Sequence, residues 1–259
     1  MIIQRERSII PACDVPPEKF EEILHATADI DGVGAYKIPH KSGRKGWESW
    51  IEVARKYTDK PLIYDAEKLG TSTPETSADL LREIKESGFD AAILFPFTGP
   101  IVEYECLVTA KDIGLEVILG SIMTHHRQIE GDFSNPKYKD YTKIFKELGF
   151  QYDLSGFLKS VAPTDIYRLA ARLGVTDYVT PGNIPHKITN LTELLKKENV
   201  EPPYYSTGFV IQGGNIAYAV KVAGKKWHAI IGRALYEASD MRAAALEFVS
   251  QIDNCSKGQ

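Results

Sequence analysis

Eight short, mostly apolar runs recur along the chain, each followed by a helical pattern or a turn-rich stretch. This alternation constrains the fold more than any other feature of the sequence. The runs are Ser8–Ala12, Gly34–Pro39, Pro61–Asp65, Ala91–Phe95, Glu116–Leu119, Asp177–Thr180, Tyr204–Gly208 and Trp227–Ile231. Each is bounded by polar or turn residues, as strands buried on both faces read. Between them, Ile166, Leu169, Ala170 and Leu173 recur at helical spacing, and Leu80, Leu81 and Ile84 make a similar stripe. Thr73-Pro74-Glu75 predicts a helix start, with a hydroxyl cap, proline at the first helical position and an acid in the first turn. Eight β-then-α units in order predict an α/β fold, a closed (β/α)8 TIM barrel forming one domain over residues 1–259. A doubly wound sheet would want GxGxxG after its first strand, and Ala12-Cys13-Asp14-Val15-Pro16-Pro17 is unlike it.

The rhythm breaks once. From His125 to Val161 no strand is expected, but two helix-like pieces are, about Pro136–Gly149 and Leu154–Val161. A stretch this long is too much for an ordinary βα loop, so a helical insertion over about 125–161 is expected at the exit of the fifth strand. Two uses fit it, a packing or dimer element and a lid over the site.

Charge and cysteine usage narrow the partners. With 31 basic and 35 acidic side chains the net charge is −4, which gives no basic field for nucleic acid. Cys13, Cys106 and Cys255 lie far apart with no CxxC pair, neither a zinc site nor a disulfide framework, and this suits a reducing compartment. The longest apolar stretches, about six to eight residues, fall far short of the roughly 20 that span a bilayer. The opening MIIQRERS has no apolar signal core. The expectation is a cytoplasmic chain with no nucleic-acid or membrane partner.

In a barrel of this kind the chemistry sits at the C-terminal ends of the strands. Those positions hold Asp14, Lys37, Asp65, Lys68, Thr124, Gln212 and Arg233. Two acids and two lysines at the first three strand ends predict an Asp/Lys network, because a buried charge needs a partner. The glycine-bearing loop Ser206–Gly214 leaves strand 7 and Ile230-Ile231-Gly232-Arg233 ends strand 8. Loops there are the usual phosphate site of such barrels, since glycines let backbone N–H groups approach the anion and an arginine can grip it with two donors. His125-His126 is a poor metal pair, with no carboxylate at ligand spacing, and no metal is expected there. His228 and Trp227 read as packing residues.

These residues together resemble the orotidine 5′-monophosphate decarboxylase family. Ser206-Thr-Gly-Phe-Val-Ile-Gln-Gly-Gly214 and Ile231-Gly-Arg-Ala-Leu-Tyr236 are similar to its SPGxxxQGG and VGRxIY signatures. Ala12-Cys-Asp-Val15 resembles its opening ALD strand, Tyr36-Lys37-Ile38 its VKI, Ile122-Met-Thr-His125 its EMSH segment, and Thr180-Pro-Gly-Asn-Ile-Pro185 its sixth-strand stretch. The family's DxKxxDIPxT motif is altered. Asp65-Ala-Glu-Lys68-Leu-Gly-Thr-Ser72-Thr-Pro-Glu-Thr76 keeps an Asp, a Lys and Pro-x-Thr, but the loop is two residues longer and Ser72 stands where the second Asp would be. A bulge or wider turn must absorb the extra length. Two readings stay open for Glu67: it stands in for the missing acid and holds the Lys68 ammonium, or its place next to Lys68 sends it elsewhere.

The resemblance implies decarboxylation of orotidine 5′-phosphate to UMP and carbon dioxide in pyrimidine biosynthesis, without metal or cofactor. It implies that Asp65, Lys68 and Lys37 are catalytic. It implies that Asp14, Thr73, Thr76, Thr124, Gln212, Gly213, Gly214, Gly232 and Arg233 bind substrate. It also implies a homodimer in which the residues before Pro-x-Thr reach the partner's site. Two other readings stay open, a non-catalytic nucleotide-binding homologue disabled at Ser72 and a metal-dependent sugar-phosphate lyase of the same superfamily.

Overall fold

The computed structural model describes residues 2–40, 46–67, 69–125, 128–130, 146–149, 156–209 and 216–254. Eight parallel strands alternate with helices. They are β1 (Arg7–Pro11), β2 (Tyr36–Ile38), β3 (Leu62–Ala66), β4 (Ala91–Leu94), β5 (Glu116–Leu119), β6 (Asp177–Pro181), β7 (Tyr204–Thr207) and β8 (Trp227–Ile231). All eight expected strands form, with ends shifted by at most two residues. The helices are α1 (Pro17–Thr27), α2 (Trp47–Arg55), α3 (Pro74–Glu86), α4 (Pro100–Asp112), α5 (Ala162–Arg172), α6 (Pro185–Lys197), α7 (Ile216–Ala223), the one-turn α8 (Arg233–Tyr236) and α9 (Met241–Asn254).

The hydrogen-bonded order β1-β8-β7-β6-β5-β4-β3-β2 leaves only the β1–β2 seam, and parallel bridges Ile9–Val33 and Ala12–Lys37 close it. The chain entering β2 must pass close to β1 for this. A Cβ on Gly34 would lie 2.3 Å from Ser8 Oγ, so glycine is required there. That close pass also shortens β2 to three residues against the six expected.

Side chains alternate along each strand and divide the core in two. Ile10, Ile63, Ile93, Ile118, Val179, Tyr205 and Ile230 fill the barrel interior. Tyr36, Ile38, Tyr64, Ala66, Tyr178 and Trp227 face outward under the helices. The buried helical stripe Leu81 and Ile84 belongs to this outer layer, each side chain contributing roughly 1.5–3 kcal/mol by burial. On α5, Ile166 and Ala170 are buried as the stripe predicts, with Leu173 packed against the same layer.

His228 and Trp227 are packing residues, on opposite faces of β8. Trp227 packs edge-on to Phe209 with ring centroids 5.4 Å apart. His228 lies inside the barrel, 2.8 Å from Ser8 Oγ through Nδ1. Burial pushes its pKa down to about 3, so the imidazole is neutral.

The insertion differs from expectation where it is described. Residues 156–161 are not helical; Leu158 pairs in parallel with Ile129, and the Glu130 N–H donates to the Leu158 carbonyl at 2.7 Å. The second expected helix is therefore replaced by a short strand-like contact, and helix α5 starts only at Ala162. Of the piece Pro136–Gly149, residues 136–145 lie outside the described residues.

Candidate active site

Alternation along β2 and β3 decides which charges reach the interior. Tyr36 and Ile38 pack outward, so Lys37 between them points in; Tyr64 and Ala66 do the same for Asp65. The end of β1 is tied to both neighbours. The Ala12 N–H donates to the Ile231 carbonyl and the Cys13 N–H to the Lys37 carbonyl, each at 2.8 Å. Those two bonds hold Asp14 over the closure seam.

Lys37 is buried, with 7% of its side chain accessible, and its ammonium donates to the Asp65 carboxylate. Asp14 Oδ2 lies 3.7 Å from the same nitrogen. Burial alone lowers the pKa of such a lysine. Here the charge of Asp65, then that of Asp14, the Asp65 hydrogen bond and the charge of Glu67 outweigh it and hold the ammonium above its usual value. The Asp/Lys network expected from the strand ends is present for these three residues. Neighbouring Cys13 is shifted upward as well, which for a thiol favours the neutral form. Burial raises its thiol, opposed only in part by Lys37, so it stays protonated and is no nucleophile.

A cavity of about 320 Å³ opens above this pair. Asp14, Lys37, Thr124, Gly232 and Arg233 line it, as the sequence leads one to expect. Asp65 lies behind Lys37 rather than on the cavity wall. The Thr124 carbonyl accepts from Asn183 Nδ2 at 3.3 Å, and Gln128 braces the same loop by accepting from the Met123 N–H at 2.8 Å. Arg233 opens α8, exposed at the mouth, and no ion pair holds its guanidinium among the described residues. Gly232 has room around it: a Cβ there would meet nothing closer than 3.7 Å, so space inside the folded chain does not require the glycine. A cleft of about 360 Å³ between α5 and α6 is slightly larger, but it holds none of the strand-end charges.

Several expected site residues stand elsewhere. Thr73 and Thr76 are exposed and do not line the cavity; Thr73 caps α3, its Oγ1 accepting from the Thr76 N–H at 3.4 Å. Lys68, Gln212, Gly213 and Gly214 lie outside the described residues.

Two expectations stand for Glu67, a stand-in acid at the site or a side chain sent elsewhere. It lines the cavity instead of turning away. Glu67 stands in the turn directly after β3, one residue past the strand end, and reaches the cavity from there. The extra loop length is absorbed beyond it by a 3₁₀ turn at Leu69–Thr71. Thr98 Oγ1 donates to the Gly70 carbonyl at 2.8 Å, and Ser77 Oγ to the Leu69 carbonyl at 2.9 Å, pinning that turn down. Ser72 is exposed beyond it. Sequence reasoning also missed Tyr236, one turn after Arg233 on α8 and on the same cavity wall.

No protein-family model matches the chain. It is 31% identical over 241 residues to the orotidine 5′-phosphate decarboxylase of Methanococcus maripaludis strain S2, covering 93% of this chain and 95% of that one. To the enzyme of the same name from Methanosarcina barkeri it is 28% identical over 193 residues, 74% of this chain and 72% of the relative. Among solved structures, the Methanocaldococcus jannaschii orotidine 5′-monophosphate decarboxylase complexed with the inhibitor BMP superposes with a TM-score of 0.72 at 17% identity. It covers 96% of this chain and 100% of that chain. The orotidine 5′-phosphate decarboxylase of Pyrococcus horikoshii superposes at 0.67 with 22% identity, over 95% of this chain and 99% of that one. At those identities the superpositions bear on the barrel itself.

Proposed function

The chain belongs to the orotidine 5′-phosphate decarboxylase family, and we propose that its barrel mouth performs the reaction with its own side chains. It is a lyase of pyrimidine biosynthesis that takes orotidine 5′-phosphate to UMP and carbon dioxide. The observation that carries the site assignment is the buried Lys37 ammonium, gripped by Asp65 and approached by Asp14, in the cavity that Arg233 also lines.

The division of labour follows from charge. Arg233, with the backbone at Gly232, takes the phosphate, whose binding far from the reacting carbon supplies energy usable in the transition state. Gln212, Gly213 and Gly214 complete that end by their resemblance to the family's phosphate loop. Asp14 and Lys37 meet the ribose, and Thr124 meets the pyrimidine. As the bond from C6 to the carboxylate breaks, its electron pair stays on carbon. Lys68 is assigned the proton that then reaches C6, and a pre-placed ammonium stabilises the developing charge without reorganising. A metal-dependent lyase would instead have its carboxylates converge on an ion; here Asp65 and Asp14 converge on the ammonium of Lys37. A reaction without metal or cofactor accords with this.

The same face suggests a homodimer. The start of α3 carries Thr73 and Thr76 outward, and beside it a groove of about 390 Å³ runs between α3 and α4. Ile101 on its rim is 70% exposed, an apolar side chain suited to a second copy.

The test is incubation of purified protein with orotidine 5′-phosphate, following loss of its ultraviolet absorbance with and without a chelator. Turnover unaffected by chelator, and abolished in Lys68→Ala with UMP affinity kept, supports the reading. UMP binding without turnover replaces it by a nucleotide-binding homologue, and chelator-sensitive turnover by a metal-dependent lyase. Sedimentation of a monomer at micromolar concentration would overturn the dimer.

A further inference from the structure

The segment after β3 is fastened twice. β3 ends at Ala66, which pairs with Leu94 of β4. The 3₁₀ turn at Leu69–Thr71 is then tied down again by side chains from two other elements. Ser77 Oγ donates to the Leu69 carbonyl at 2.9 Å. The Gly70 carbonyl accepts from Thr98 Oγ1 at 2.8 Å and from the Thr98 N–H at 3.4 Å. A Cβ on Gly70 would lie 2.4 Å from the Phe95 carbonyl oxygen and 2.6 Å from Pro96 Cα, so the turn rests backbone to backbone on the β4 exit. Ser77, near the start of α3, is only 1% exposed, and in such a place a hydrogen bond holds more firmly than in water.

Leu69 and Gly70 follow Lys68 directly in the chain. We propose that Ser77 is a positioning residue for decarboxylation, its hydroxyl fixing the backbone one residue beyond Lys68, with Thr98 supporting the same turn from the β4 side. The inference rests on the decarboxylase reading, in which Lys68 delivers the proton to C6. Successive Cα atoms across a planar peptide stay about 3.8 Å apart, so a shift of Leu69 passes to the residue before it. With the turn held, only positions 67 and 68 bridge the end of β3 and its start. The loop is longer than the motif it resembles, and the clamp keeps the length beyond Leu69 from displacing Lys68. Neither Ser77 nor Thr98 lines the cavity. The groups assigned to phosphate and ribose, Arg233, Asp14 and Lys37, come from the β8, β1 and β2 ends. Loosening the clamp therefore lowers kcat and leaves substrate and product binding in place.

The test combines steady-state kinetics on orotidine 5′-phosphate, UMP affinity by titration calorimetry, and amide hydrogen exchange read on peptides covering residues 66–73. Ser77→Ala should lower kcat roughly 10- to 100-fold, the scale of a misplacement near one ångström, and leave KM and UMP affinity within about threefold. Thr98→Val removes the more exposed hydroxyl and should lower kcat by about 3- to 10-fold, while Thr98→Ser keeps the donor and should match wild type. Should Ser77→Ala fail to fold, the two Thr98 variants carry the same test. Ile84→Val, a packing change on the same helix, reports general loosening and should leave kcat unchanged. Exchange in 66–73 should rise in Ser77→Ala and stay at the wild-type level in Ile84→Val. An unchanged kcat in Ser77→Ala, a KM that rises as far as kcat falls, or an equal loss in Ile84→Val overturns the proposal. Absence of turnover in the wild type overturns the decarboxylase reading instead, and hydrogen exchange then decides whether Ser77 holds the segment.

Discussion

Replacing Lys37 with Met keeps the aliphatic stem and removes the charge, leaving Asp65 in place with 17% of its side chain accessible. An unpaired carboxylate there has two options. It can remain charged and bear the desolvation cost, or take a proton and bear the cost of protonation at the ambient pH. The second option sets a ceiling. Starting from an ordinary aspartate near 3.9, at 1.36 kcal/mol per unit, neutralising Asp65 costs about 4 kcal/mol at pH 7 and about 1.5 kcal/mol at pH 5. Asp14 stays half in water, so its lost partner adds less than about 1 kcal/mol.

Urea denaturation followed by circular dichroism should therefore show Lys37→Met destabilised by roughly 3 kcal/mol at pH 7 and by about half that at pH 5. Adding Asp65→Asn removes the orphaned charge, and the double variant should recover most of the loss, a coupling of about 2–3 kcal/mol. Additivity within about 0.5 kcal/mol, or a penalty equal at both pH values, would show that the pair does not interact as the geometry implies. The sign at high pH is fixed separately. The folded pKa of Lys37 is raised, so its contribution is complete below the unfolded value near 10.4 and is lost as pH climbs from there through the folded one.

Three shorter expectations accompany this. Arg233→Ala should weaken UMP roughly 10- to 150-fold and leave uridine unchanged, the loss of one charged contact to phosphate; equal loss for both in calorimetry would make Arg233 structural. Glu103 on α4 is 1% exposed, and burial outweighs a backbone hydrogen bond to bring its pKa to about 8. A carboxyl raised in the folded state is neutral there and costs stability as pH rises from 4.5 toward 8. Glu103→Gln should thus stabilise by about 2–4 kcal/mol at pH 8 and by little at pH 5, and denaturation curves showing no such difference refute it. Gly70→Ala places a Cβ 2.4 Å from the Phe95 carbonyl oxygen, so its melting midpoint should fall by the equivalent of about 1–3 kcal/mol; an unchanged midpoint would mean the 3₁₀ turn is not pinned there.

The barrel was legible because its strands are buried on both faces. Such strands appear in sequence as uninterrupted apolar runs, and the burial of all five residues of β1, β6 and β8 is the structural counterpart. The Thr73-Pro74-Glu75 cap was legible for a local reason, since the bond from the Thr76 N–H to Thr73 closes within three residues. The insertion was not. Leu158 pairs with Ile129 across 28 intervening positions, and a single bridge of that kind has no period to detect. Helical spacing in Leu154–Val161 was a weaker determinant than this tertiary pairing.

Within the site, legibility followed the same divide between local period and motif. Asp14, Lys37, Thr124 and Arg233 sit at strand ends, and the strand pattern alone brings them to one cavity. Glu67 was left open between two readings because motif comparison counts positions along a loop whose length has changed, with Ser72 where the second acid would be. The strand does not count that way. β3 ends at Ala66, and Glu67, in the turn directly after it, still reaches the cavity wall. The loop beyond it is what shifts, leaving Ser72 exposed and outside the cavity wall. An acid restored at position 72 would therefore start from a place this chain's own cavity does not reach. Within one chain, the carboxylates on the cavity wall are Asp14 and Glu67 among the described residues, with Asp65 behind Lys37.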